Sequence, residues 1–132
     1  MESRENFSLR WNDFESNISS SFQDLRNNSE FFDVTLCCNN GIDTIQAHRV
    51  ILAASSPFFL NILSHQRNHQ NPLIYLKGVS LNDLEMILEF IYHGKVNIVQ
   101  ESLNNFLKVA NELNIKGLSE GTQSPIKTEK KI

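Results

Sequence analysis

Hydrophobic positions along this chain change their period several times, and each change marks an element. Phe7, Leu9 and Trp11 alternate with Ser8 and Arg10, a period-2 pattern that predicts a short strand. No hairpin partner lies beside it in sequence, so it must pair with something distant or with another chain. Phe14, Ile18, Phe22 and Leu25 then fall on one face of an amphipathic helix, with Asp13 or Asn12 as N-cap and Asn27-Asn28-Ser29 as its end. Val34, Leu36 and Cys38 alternate again and predict a strand. Asn39-Asn40-Gly41 reads as a tight turn, Gly41 supplying the positive φ, and Ile42 to Gln46 return as the paired strand. Val50 to Ala54, apolar on every side, predicts a short buried helix. Pro57 opens the next helix, capped by Ser55 or Ser56 and filled by Phe58, Phe59, Ile62 and Leu63.

The second half is simpler. His65 to Asn71 is polar and aperiodic, a loop, and Leu73-Ile74-Tyr75-Leu76 predicts a short buried strand. Ser80 caps the strongest helix, with Asp83 three residues on in a variant of the capping box. Its core stripe is Leu84, Ile87, Leu88 and Ile91, and Gly94 stops it. Lys95, Val96, Asn97 and Ile98 form a short extended piece, an exposed apolar edge open to pairing. Leu103, Phe106, Leu107, Ala110 and Leu113 make a second helical stripe ending near Gly117. Beyond that, Ser, Gly, Thr, Pro and Lys dominate and periodicity is lost. The expected organisation is a flexible start over 1–6, one domain with its N-terminal arm over 7–118, and a flexible tail over 119–132. The fold class is α+β, a small mixed sheet with helical hairpins packed on it.

Composition narrows the function. A chain of 132 residues, 40% hydrophobic and 20% charged, has material for one core. A net charge of −3 argues against direct grip on nucleic acid, which calls for a basic stripe. No apolar run is long enough to span a membrane, and MESRENFSLRW lacks the apolar core of a signal peptide. Cys37 and Cys38 are neighbours on a strand, point to opposite faces, and are expected to stay reduced in a cytosolic or nuclear protein.

Candidate chemistry is thin. His48 beside Ser55 and Ser56 lacks a placed nucleophile, the serines reading as helix caps. His65 and His69 stand four residues apart but in an amide-rich loop without Cys or acidic neighbours. No enzyme and no cofactor are expected. Ile126-Lys127-Thr128-Glu129 fits the apolar-Lys-x-acidic pattern for attaching a ubiquitin-like modifier to Lys127.

Four segments in order, FFDVTL at Phe31 to Leu36, AHRVILAASSPFF at Ala47 to Phe59, LEFIYHGKVNI at Leu88 to Ile98 and FLKVANELNIKGL at Phe106 to Leu118, resemble the BTB/POZ family. FSLRWNDF at Phe7 to Phe14 and the ending NIKGL are similar to its insect tramtrack group, and within it to a member consisting of the BTB domain alone. Gly78, Ser55 and the amides of Asn68 to Asn71 depart from the usual pattern, without touching expected core positions. The resemblance implies a BTB/POZ fold whose N-terminal strand and helix are exchanged between subunits. Phe7, Leu9, Trp11, Phe14, Ile18 and Phe22 would then form the dimer interface, Asp33 and Arg49 a charged pocket at the dimer groove, and Lys95 to Ile98 a contact for higher oligomers. It further implies a nuclear role in transcription and chromatin regulation. The chain would associate with itself and with other BTB transcription factors, the GAGA-binding factor class among them, and reach DNA through them. The alternative is a substrate adaptor of a cullin-type ubiquitin ligase. That role wants an apolar-x-acidic patch, whereas Ser64-His65-Gln66-Arg67-Asn68 holds no acid.

Overall fold

Strand β1, Val34–Cys38, is the axis of the molecule in a computed structural model that describes residues 4–66 and 68–118. It pairs antiparallel with β2, Asp43–Ala47, with Val34 opposite Ala47 and Cys38 opposite Asp43. On its other side it pairs parallel with β3, Leu73–Tyr75, so the order is β2-β1-β3. A central strand is covered on both faces, and Val34, Leu36, Cys37 and Cys38 are all buried despite the alternating pattern. Both cysteines are free thiols.

The β1–β2 turn falls where the sequence places it, with more left-handed residues than the one foreseen. Gly41 is left-handed, as expected, but so are Asn39 at φ 53° and Asn40 at φ 55°. Two asparagines therefore supply the reversal, closed by the Gly41 N–H donating to the Cys38 carbonyl at 3.1 Å. The strand β3 is also less buried than its apolar sequence predicts: it lies at the sheet edge, and only Ile74 faces the core.

Helices α1, Phe14–Leu25, α2, Arg49–Ser55, α3, Pro57–Ser64, α4, Leu81–His93, and α5, Gln100–Glu112, complete the fold. A 3-10 turn over Ser29–Phe31, not foreseen in the sequence, joins α1 to β1 and is capped by the Asn28 side chain. One core cluster joins Val34 and Leu36 to Leu52, Phe59, Leu84, Ile87, Phe106, Ala110 and Ile115. Ser56 caps α3 by accepting from the Phe59 N–H at 3.2 Å, and its hydroxyl donates to the Leu113 carbonyl at the end of α5. The Lys116 N–H donates to the Ser55 carbonyl at 2.9 Å, so the segment after α5 is fastened to the α2–α3 corner.

Ser80 caps α4 through the Asp83 N–H at 3.1 Å, and Gly94 ends it at φ 80°, both as predicted. The return bond of a capping box is not used. The Asp83 carboxylate is buried and accepts from the Asn105 side chain instead, tying α4 to α5. No helix among the described residues is long and apolar enough to cross a membrane.

Candidate functional site

Helix α1 is the anomaly in this fold. It is amphipathic, yet none of its residues is buried. Its C-terminal half leans on α4, where Gln23, Leu25 and Arg26 are partly covered. Towards its start Phe14 is half-exposed, and Phe22 also faces solvent, while Ile18 is only partly covered. Asp13 holds the N-cap position as expected, but in the left-handed region and without a side-chain bond to the helix. Its carbonyl accepts instead from Ser16 and Asn17.

The segment before α1 carries the same signature. Phe7 is 80% exposed and Leu9 94%. Trp11 stacks edge-on against Phe14, ring centres 5.1 Å apart, which extends the apolar stripe of α1 back into the arm. The predicted strand is not formed within the chain: residues 7–11 belong to no ladder among the described residues. A period-2 pattern supplies one apolar face, but a strand also needs a neighbour to bond to.

Helix α2 carries an exposed apolar position of its own. Its sequence is apolar all round, but it is not buried all round: Val50 is 72% exposed while Ile51 and Leu52 are inside. The helix is seven residues long and sets Ile51 and Leu52 in the core, while Val50 lies on its open flank.

Asp33 and Arg49 come together, but not as an ion pair. The Asp33 carboxylate accepts from the Arg49 backbone N–H at 2.7 Å, capping α2 from the loop before β1. A carboxylate at a helix N-terminus satisfies an open N–H and meets the positive end of the dipole. The Arg49 guanidinium points elsewhere and donates to the His69 carbonyl at 3.0 Å, tethering the amide-rich loop. Sequence spacing could pair the two residues, but not show that backbone groups take both charges.

His48, at the N-cap position of α2, is buried and makes no cap bond of its own. Its Nδ1 lies 2.6 Å from the Tyr92 hydroxyl, which also accepts from the His48 backbone N–H at 3.1 Å. Its Nε2 reaches no hydrogen-bond partner among the described residues, although the Asn28 backbone is close enough to favour the charged ring. Burial dominates and holds the imidazole below the usual histidine range, against the opposing pull of Asp33 and Asn28. Burial also pushes Tyr92 up to about 12. The Arg26 guanidinium sits 5.8 Å from the centre of that ring. Tyr92 was not singled out by the sequence; only its place two residues before Gly94, on the inner face of α4, could have suggested a buried hydroxyl.

Burial likewise raises the Cys38 thiol, with Asp43 adding to it, which disfavours a reactive thiolate. His65 Nδ1 pairs with the Asn61 carbonyl of its own helix. Lys95 to Ile98 has no regular secondary structure and joins no ladder among the described residues. Its apolar members are not the exposed edge expected of them: Val96 and Ile98 pack against the core, and Lys95 and Asn97 face solvent. Lys127 lies outside the described residues.

A BTB/POZ domain model matches residues 22–130. The Longitudinals lacking protein-like of Drosophila melanogaster is 46% identical over 98% of this chain and 98% of its own length. The Broad-complex core protein of the same fly is 44% identical over 91% of the chain, but over 16% of itself. The tramtrack protein, alpha isoform, is 42% identical over 86% of the chain and 14% of itself. In those two the shared segment is a small part of a longer protein. Among solved structures, the BTB domain of zebrafish PATZ1 superposes with a TM-score of 0.69 at 21% identity, over 83% of this chain and 88% of that one. The BTB domain of human Gigaxonin gives 0.68 at 20% identity, over 84% and 89%.

Proposed function

The chain belongs to the BTB/POZ domain family, and from that premise we propose that it is a homo- and heteromerisation module of nuclear transcription and chromatin regulation. The observation that carries this reading is the uncovered apolar face running from Phe7 through Trp11 to Phe14 and Phe22. In this reading the face is covered by a second copy, whose own arm and α1 are covered in return. The contact is isologous.

Magnitudes decide how much of the face is needed. Burying a Phe or Leu side chain gains about 1.5–3 kcal/mol, so Phe7 and Leu9 of two chains yield roughly 6–12 kcal/mol. Association costs about 4–15 kcal/mol before any surplus shows. The arm alone therefore covers the cost only in part of that range, and the α1 face with Trp11 supplies the surplus. Charge plays a small part here, because Asp33 and Arg49 are engaged with backbone groups.

Contact with DNA is made by partner BTB transcription factors, the GAGA-binding factor class being the candidate. Added subunits raise the valency of such a factor, and clustered DNA sites then gain affinity through effective concentration. Its Drosophila relatives in the tramtrack group support this assignment. The adaptor role in a cullin-type ligase is the weaker reading, since the segment Ser64 to Asn68 offers no acid. A pull-down with a cullin N-terminal domain separates the two.

The deciding experiment is the solution mass, by light scattering, of the intact chain and of a version lacking Met1 to Asn12. The intact chain is expected as a dimer or a multiple of it, and the shortened chain as a smaller or concentration-dependent species. Equal assembly size in both overturns the arm's role. Failure to co-purify with any BTB transcription factor overturns the heteromeric part.

A further inference from the structure

The exposed edge of β3 is a second, separate surface. The Pro72 carbonyl accepts from the Thr35 N–H at 3.0 Å, and the Leu76 N–H donates to the Cys37 carbonyl at 2.8 Å, both across to β1. Backbone groups alternate sides along a strand, so residues 72, 74 and 76 address β1. The N–H and C=O of Leu73 and Tyr75 then point away from the sheet, at the end of the order β2-β1-β3. Their side chains share one face, the opposite of buried Ile74, and are 58% and 51% exposed.

We propose that β3 pairs antiparallel with β3 of a second copy, joining two three-stranded sheets across a two-fold axis at Ile74. The reading rests on the chain being a self-assembling module, but on a surface distinct from the arm and α1. The segment is self-complementary in this register. Leu73 faces the partner's Tyr75, and the reverse, as hydrogen-bonded pairs that exchange both N–H and C=O groups. Each leucine side chain lies against a tyrosine ring on the exposed face, an aliphatic–aromatic cross-strand pair. Lys77 falls opposite the partner's Asn71, so the nearest cations do not meet.

Brevity defines what the contact does. Three residues a side, bounded by Pro72 and Leu76, bury far less than the ~1,200 Å² of a stable interface. Pairing of this size holds weakly between single chains and gains from repetition. A dimer built on the N-terminal face carries two such edges, so dimers link into larger assemblies whose growth depends on concentration.

The test is a charge swap in the full chain, read as mass by light scattering over a concentration series, with circular dichroism confirming the fold. Wild type is expected to rise from its base unit to roughly double that mass or more as concentration increases. Leu73→Lys with Tyr75→Lys places like charges opposite each other at both pairs and is expected to stop at the base unit. Leu73→Lys with Tyr75→Glu places opposite charges there and is expected to regain growth that salt, from about 0.05 to about 0.5 M, suppresses. Wild type without growth, a double-lysine variant that grows like wild type, or a Lys/Glu variant that stays at the base unit each overturns the proposal. Loss of the arm shifts the base unit itself, so failure of the dimer reading is distinguishable from failure of this one.

Discussion

Replacing Tyr92 with Phe removes one oxygen from the centre of the domain and leaves the ring in place. Among the described residues that oxygen is the only partner in hydrogen-bond geometry for His48 Nδ1, at 2.6 Å, and it also accepts from the His48 backbone N–H at 3.1 Å. Both His48 groups are buried and lose their partner together. An unsatisfied buried polar group costs about 1–3 kcal/mol, so the two set a ceiling of roughly 2–6 kcal/mol. Phenylalanine no longer has a hydroxyl to desolvate, which returns part of this, and the packing of the ring under Arg26 is unchanged. The expected net loss is about 2–4 kcal/mol. Urea unfolding at fixed protein concentration measures it as a lower midpoint with an unchanged slope; fixed concentration matters because assembly contributes to apparent stability. A loss under about 0.5 kcal/mol refutes the reasoning, since it means His48 finds other partners or the pair contributes nothing net.

Acid titrates the same centre. Because burial holds folded His48 below its ordinary value, the unfolded chain takes up the proton first. Stability is whole above about pH 6.5 and declines as pH falls through it, and thermal melts from neutral to mildly acidic pH should show the decline. Tyr92 acts at the other end: with its pKa raised to about 12, the unfolded state loses its proton first, so stability also falls above about pH 10, and Tyr92→Phe should remove that alkaline component. Asp33→Ala deletes the cap on the Arg49 N–H and should cost about 1–2 kcal/mol in urea unfolding, while Arg49→Ala, which frees only a surface tether, should cost well under that. Gly94→Ala meets no atom within 4 Å, so its cost should be the left-handed backbone alone, about 1–2 kcal/mol by thermal unfolding.

Legibility in the sequence followed how local each determinant was. Val34, Leu36 and Cys38, the Asn-Gly turn, Ser56-Pro57 and Ser80 through Gly94 are decided by neighbours a few residues away, and all appear where the pattern places them. Phe7 to Trp11 shows the limit: alternation gives a strand's face but not its hydrogen-bond partner. Lys95 to Ile98 misleads the other way, because apolar residues near a surface look like an edge until Val96 and Ile98 are seen on the core. Val50 could not be placed from α2 alone, since exposure depends on what lies above the helix. The Asp33 cap and the His48–Tyr92 pair span 16 and 44 residues, and spacing carries no signal for either.

The fastening of Ser55 and Ser56 to Lys116 and Leu113 also sets when a newly made chain can finish folding. The α2–α3 corner is synthesised early, yet its buried hydroxyl waits for Leu113, made some sixty positions later, and the core for Ile115, which is fully inside it. Until residue 116 has left the ribosome the core stays open, although the sticky arm at residues 7–11 has long since emerged. Subunits therefore become competent only once the whole segment up to Lys116 has been made. Under the proposed joining of this chain to itself and its relatives through one face, such late maturation would let the mixture of assemblies follow the relative abundance of completed domains.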